Sequence, residues 1–194
     1  MTVSFGAGAG SGDERLLAAA LRVLNEDPSA TMARIATVAG VGRATLHRHF
    51  STREDLVLAL GRWGLARWED SLRSGAALDV VGTDDADAHR AAIEDLVRRY
   101  VVDSAEYSFA LTHPEVERHP GLAGAVQRLV ELETSVLASA QRVGVLRDDQ
   151  PAVWLDHVLF GLLRAGLDAE RYGDVAPRDI ADHVVTSFFA AAGR

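Results

Sequence analysis

The chain has 194 residues, 48% of them apolar and 25% charged, no cysteine, and a formal charge of −8. That composition is globular, with room for one sizeable domain or two small ones, and it excludes disulfides, thiolate chemistry and cysteine-based metal centres. The acidic balance argues against a uniformly basic coat for nucleic acid, and charged residues interrupt every apolar run before it could span a bilayer.

The basic residues are unevenly placed. All 20 are arginine, and the window from Pro28 to Arg53 holds four of them with two histidines and no acid. The Gly-rich start lacks the basic and apolar segments of a secretion signal, so a disordered tail over 1–12 and a cytoplasmic location are expected. From there apolar residues recur at helical spacing almost throughout, and no stretch alternates as a half-buried strand would. Ser11 and Glu14 have the spacing of a capping box, Leu16, Leu17, Ala20, Leu21 and Leu24 follow, and Pro28 closes the first helix. Thr31 is placed to cap a short second helix carrying Ile35, Val38 and Ala39, which Gly40 terminates. A third short helix is predicted over 42–49, with Leu46 and Phe50 as an apolar pair one turn apart. Ser51 and Glu54 form a second capping-box pattern, opening a long fourth helix that reaches about Arg73. Gly75 to Asp87 reads as a loop, and a fifth helix is predicted from Asp87 to Leu111. Pro120 is expected in the first turn of a helix to Arg142, Gly144 to Asp149 as a turn, and Pro151 and Pro177 at the start of two helices ending near Arg171 and Ala192.

Two short helices joined by Ala39, Gly40, Val41 and Gly42 describe a helix-turn-helix whose small core would be Ile35, Val41, Leu46 and Phe50. Around the third helix, Ala44 and Arg48 point most directly away from Leu46, with Thr45 and His47 beside them and Arg43 in the first turn. This face is small, basic and able to hydrogen-bond, and it has no acid to repel phosphate. Those are the properties of a helix that reads the major groove.

Leu16 to Leu56 resembles the DNA-binding domain of the tetracycline-repressor (TetR-like) family. The matching residues are Ala19-Ala20, Val23-Leu24, Thr31, Ile35-Ala36, Ala39-Gly40-Val41, Thr45-Leu46, His49-Phe50, Arg53-Glu54 and Leu56. The family usually has Tyr at the position of His47, Lys at that of Arg53 and often Ser at that of Gly42. The resemblance implies an all-α fold of about nine helices, with a three-helix DNA-binding domain over 13–56 and an effector-binding and dimerisation domain over 57–194. It implies that Arg43, Ala44, Thr45 and Arg48 meet base edges or nearby phosphates. It implies too that Thr31, Arg34, His47, His49, Thr52 and Arg53 hold the DNA backbone. The function implied is that of a bacterial repressor, a homodimer that binds a pseudo-palindromic operator in double-stranded DNA and is released by a small-molecule effector.

In the body, Trp154, Val158, Gly161, Leu162 and Ala165 share one side of a helix, and Ile180, Val184 and Phe188 share a face of the last one. By periodicity these stripes fit an internal core as well as a partner. The resemblance assigns Val158, Gly161, Leu162, Ala165, Ile180, Val184 and Phe188 to a dimer interface. Candidates for an effector pocket are Trp63, Trp68, Tyr100, Tyr107, Phe109, His113 and Trp154, and an apolar or aromatic ligand is the default for such a lining. No hydrolase, zinc-protease, phosphate-loop or dinucleotide motif is present, so no enzyme, cofactor, metal site or membrane association is expected. The alternatives are a helix-turn-helix regulator controlled by a protein partner, and a helical enzyme.

Overall fold

The computed structural model describes residues 11–194, and among these it has ten helices and no strand beyond an isolated bridge between Leu146 and Gly193. The helices are α1 (Ser11–Glu26), α2 (Met32–Val38), α3 (Arg43–His49), α4 (Arg53–Ser74) and α5 (Ala86–Glu106). They continue with α6 (Ser108–Thr112), α7 (Pro114–Glu117), α8 (Ala123–Arg142), α9 (Ala152–Tyr172) and α10 (Pro177–Ala192). The all-α expectation is borne out. The expected tail over 1–12 falls outside the described residues as far as residue 10, and α1 already begins at Ser11. The Ser11 side chain, expected as a cap, also lies outside them.

The largest departure from expectation lies between Glu106 and Ala123. The predicted helix to Leu111 breaks at Tyr107, whose φ of −107° and ψ of 26° leave the helical range, and α6 restarts one residue later. Pro114 occupies the first turn of α7, while Pro120 sits in the turn before α8 rather than inside it. This segment packs on α4 through two glycines. A Cβ at Gly64 would stand 2.9 Å from that of Ala110, and one at Gly61 would stand 2.8 Å from Val116 Cγ1. Only a residue without a side chain allows the backbones to come so close.

Among the described residues the chain divides into two compact units, 11–66 with 107–125 and 67–106 with 126–194. The first has Leu17, Leu24, Ile35, Leu46, Phe50, Leu56 and Leu60 at its centre, joined by Phe109, Val116 and Leu122 from the later segment. It therefore extends past the boundary at residue 56 expected for a free-standing helix-turn-helix domain. The core of the second includes Leu72, Ile93, Val97, Val136, Leu155, Leu159 and Phe188. There α10 lies close on α9, with Ile180 Cγ2 2.9 Å and Val184 Cγ2 3.4 Å from where a Cβ on Gly166 would be. Its turn over 144–149 is tied to the end of α10 by Arg147 N–H donating to Ala192 O at 2.8 Å.

Candidate nucleic-acid interface

The helix-turn-helix forms as its residues require. Thr31 Oγ1 accepts the backbone N–H of Arg34 at 3.3 Å and starts α2. Gly40 turns the chain with φ +68°, a left-handed value that most side chains disfavour. Val41 N–H then donates to Ala36 O at 3.0 Å, which closes the turn. Ile35, Leu46 and Phe50 are buried, whereas Val38, expected on the apolar side, is half exposed. With Leu46 locked inward, α3 presents Arg43, Ala44, His47 and Arg48 to solvent, and Thr45 is half-buried beside them.

The arginines of the basic window separate into two kinds. Arg34 Nη1 donates to Asp27 Oδ2 at 2.8 Å. The Ser29 hydroxyl and N–H, followed by the charges of Arg34 and Arg53, hold the Asp27 carboxyl below its ordinary pKa. Arg53 donates from Nη1 to Ala30 O at 2.8 Å and from Nη2 to Pro28 O at 2.7 Å, with Glu115 Oε2 at 3.4 Å. Both guanidiniums thus hold the loop between α1 and α2. Arg43 and Arg48, by contrast, are exposed and have no ion pair or hydrogen bond among the described residues.

Three other backbone-contact candidates are also engaged within the fold. His49 Nδ1 lies 2.5 Å from Asp13 Oδ1, which ties α3 to α1. His47 Nδ1 is bonded to Ser51 O at 3.2 Å, and a carbonyl partner makes that nitrogen the donor, so Nε2 is the atom left for an external group. Thr52 and Asp55 cap α4 reciprocally, with Asp55 N–H to Thr52 Oγ1 at 3.0 Å and Thr52 N–H to Asp55 Oδ2 at 2.9 Å. The capping box is therefore one residue later than the expected Ser51–Glu54 pair. A Lys at position 53 could not hold two carbonyls in this way, because only the guanidinium fork supplies two donors at fixed separation. We expect Arg53→Met to lower unfolding stability by about 1–2 kcal/mol, allowing for its partial exposure, with an unchanged denaturant slope in urea melts.

The aromatic candidates do not converge on one cavity. Trp63 packs edge-on against Tyr107 at 5.1 Å, and His113 stacks on buried Phe109 at 4.5 Å, all in the first unit. Trp68 and Tyr100 are buried in the second unit with ring centroids 4.0 Å apart. Trp154 is 53% exposed on α9. A cleft of about 420 Å³ in the first unit is lined by Arg53, Glu54, Val57, Glu115, Arg118 and His119 with Pro114 and Pro120, none of them a predicted pocket residue. Among the described residues no three His, Asp or Glu side chains are grouped to hold a metal, and no helix is long and apolar enough to cross a membrane.

The expected dimer set divides as well. Gly161 and Ala165 are exposed on α9, with nothing within 4 Å of a Cβ placed on Gly161, and Val158 and Leu162 are half-buried. Ile180, Val184 and Phe188 are buried in their own chain, so the stripe on α10 is core rather than a partner-facing surface. The physical reason is Gly166, whose missing side chain lets α10 seat these residues against α9. Residues the sequence reading did not single out include Glu133, buried with its Oε1 accepting the Trp68 indole N–H at 2.7 Å, and Phe160, stacked on Trp68 at 5.3 Å. The one available sign was a carboxylate at a position of α8 in register with Leu129, Val136 and Leu137.

Comparison with known proteins agrees with this geometry. Residues 16–60 match the family described as bacterial regulatory proteins, tetR family. Over 177 residues the chain is 32% identical to the HTH-type transcriptional repressor LfrR of Mycolicibacterium smegmatis, covering 89% of this chain and 85% of that one. The HTH-type transcriptional regulator NfxB of Pseudomonas aeruginosa is 28% identical over 180 residues, or 92% of each chain. The crystal structure of the TetR-like regulator LfrR from Mycobacterium smegmatis in complex with proflavine matches with a TM-score of 0.73 at 27% identity, covering 91% of this chain and 93% of that one. With 32% identity sustained over 89% of its length, and the helix-turn-helix formed where residues 16–60 match, the chain belongs to the tetR family of bacterial regulatory proteins and is a helix-turn-helix transcriptional regulator.

Proposed function

We propose that this regulator is a repressor that binds a two-fold-related operator as a homodimer and leaves it when a small molecule occupies its helical body. The observation that carries the DNA-reading part is the state of Arg43 and Arg48. Two guanidiniums stand exposed and unpaired on α3 while Arg34 and Arg53, close by in sequence, are neutralised or bonded within the fold. An arginine in the first turn of a helix is also unfavourable for the helix dipole, so Arg43 is not placed there for helix stability. Its natural counter-charge is external, a phosphate or a guanine edge. Ala44 and the uncapped Gly42 leave room for that approach, since a Cβ on Gly42 would meet nothing within 4 Å. The residues assigned to DNA are thus Arg43, Ala44, Thr45, His47 and Arg48, with Thr31, Arg34, His49, Thr52 and Arg53 holding that surface in shape.

Dimerisation is assigned to the exposed side of α9, where Trp154, Gly161 and Ala165 lie in register and small residues permit a second helix to come close. The ligand-responsive part is carried over from the relative crystallised with proflavine, 27% identical to this chain. The helix α4 supplies a covalent link, because it begins at the capping box beside α3 and later contributes Trp68 to the body. A ligand can shift the repressor only by its difference in affinity between the DNA-bound and free states.

The test is selection from random duplex DNA at about 0.1–0.15 M salt, where binding driven by phosphates alone is suppressed. Recovery of a two-fold symmetric motif, together with sedimentation at twice the 20.8 kDa chain mass, is the expected result. No enrichment from folded, dimeric protein overturns the DNA-reading assignment, and a monomer at micromolar concentration overturns the dimer.

A further inference from the structure

The cleft beside the start of α4 has more hydrogen-bond donors than the fold uses. It lies wholly within the first unit, and its volume of about 420 Å³ suits a small organic molecule. Val57, Pro114 and Pro120 give it apolar walls. One of its two acids is already committed, since Glu115 Oε2 stands 3.4 Å from Arg53 Nη2. Arg53 itself spends its shorter bonds on the carbonyls of Pro28 and Ala30. Arg118, on the same cleft, is exposed and has no side-chain hydrogen bond or ion pair among the described residues.

The second open donor belongs to His119. Gly121 N–H donates to His119 Nδ1 at 3.1 Å, and a nitrogen that accepts carries no proton, so the ring holds its hydrogen on Nε2. The ring packs where Gly121 has no side chain, because a Cβ there would stand 3.2 Å from Nδ1. Nε2 is buried and finds no partner, for Glu54 Oε1 is 3.8 Å away, beyond hydrogen-bond reach. A buried donor left without an acceptor is costly. The Glu54 side chain is 79% exposed and stands in the first turn of α4, where a negative charge favours the helix dipole without any help from His119. It is free to swing aside and leave Nε2 to another acceptor.

We propose that this cleft binds a small organic carboxylate, its oxygens accepting from His119 Nε2 and the Arg118 guanidinium and its apolar body lying against Val57, Pro114 and Pro120. The site goes beyond the ligand-responsive body, since it belongs to the unit that carries α3. A carboxylate fits because both open groups are donors and one of them is a permanent cation. A neutral molecule of the same shape would leave Arg118 without a counter-charge, and an amine would set a donor against the Nε2 donor. Inorganic phosphate would supply the oxygens but cover none of the apolar wall. Arg53 borders the same cleft, so the occupant sits against the clamp that holds the loop between α1 and α2.

The test is a titration of the full chain with benzoate, benzyl alcohol and inorganic phosphate, followed through the amide resonance of Gly121 and the ring resonances of His119. Benzoate is expected to give saturable shifts and to bind at least about tenfold more tightly than either of the other two. Arg118→Gln and His119→Asn should each weaken benzoate about tenfold and leave benzyl alcohol unchanged. The asparagine carbonyl takes over the Gly121 N–H while the Nε2 donor is lost. Arg118 has no internal partner among the described residues, so its substitution tests the site without untying the fold. Equal affinity for benzoate and benzyl alcohol, or a benzoate affinity unmoved by both substitutions, overturns the proposal. Phosphate binding as tightly as benzoate overturns the organic ligand, since charge alone would then be read. No operator enters the titration, so its outcome is independent of the repressor reading.

Discussion

Arg43→Ala and Arg48→Ala should each weaken binding to the selected operator by about 1–3 kcal/mol, roughly tenfold to more than a hundredfold, without lowering the melting temperature. The separation of the two effects follows from the structure. Neither guanidinium has an internal partner among the described residues, so its removal leaves no buried group unsatisfied and no loop untied. Arg53→Met makes the opposite case, because its donors hold the carbonyls of Pro28 and Ala30. If Arg43 reads a base, its alanine variant should also relax the selected motif at one position in each half-site. If Arg48 instead meets a phosphate, its variant should weaken all sequences alike and reduce the salt slope by about one. Electrophoretic or fluorescence titrations at several salt concentrations distinguish these outcomes. Unchanged affinity in both variants would mean that α3 does not face DNA.

What could be read beforehand depends on how far apart in sequence the deciding partners are. The turn between α2 and α3 was legible because its determinants are local. Thr31 caps three residues ahead, Gly40 supplies its own left-handed φ of +68°, and Leu46 and Phe50 are one turn apart. The start of α4 was legible only to within one residue. Ser51–Glu54 and Thr52–Asp55 are overlapping candidates for the same box, and the bonds formed belong to the second. The break at Tyr107 was not legible, since the periodicity runs straight through it. The segment after it packs on Gly61 and Gly64, far away in sequence.

The site shows the same limit. Composition picked out a basic window but could not separate arginines used internally from those left free. That distinction rests on Asp27 and on two backbone carbonyls whose positions only the fold sets. An apolar stripe is equally ambiguous. The stripes on α9 and α10 have the same periodicity, yet Gly161 faces open space while Ile180, Val184 and Phe188 are covered by their own chain. Asp156 stands in sequence between Leu155 and His157. Its position beside Leu155 and Leu159 on the buried face of α9 was the informative feature.

The buried acids Glu133 and Asp156 should make the protein lose stability as pH rises, and Glu133→Gln should remove most of that loss. Burial first, and the charge of Asp156 second, push Glu133 up to about 8, although the Tyr100 hydroxyl and the Trp68 indole N–H work against them. Burial pushes Asp156 up to about 6. The ionisable groups acting on Glu133 are Asp156 from α9 and Tyr100 from α5, and neither offers positive charge. In the unfolded chain a glutamate titrates near 4.3, so between about pH 4.3 and 8 the native state holds a proton that the unfolded state has released. Stability tied to that proton is fully present below the unfolded value and falls as pH rises towards the folded one. The slope is about 1.4 kcal/mol per pH unit for one linked proton, and the total is on the order of a few kcal/mol. Glutamine keeps a carbonyl oxygen for the Trp68 indole and cannot ionise. Its melting temperature should therefore exceed the parent's by about 5–10 °C at pH 8 and nearly match it at pH 5. Parallel melting profiles for parent and Glu133→Gln across this range would show that Glu133 is not the group that titrates, and would leave its burial without a compensating proton.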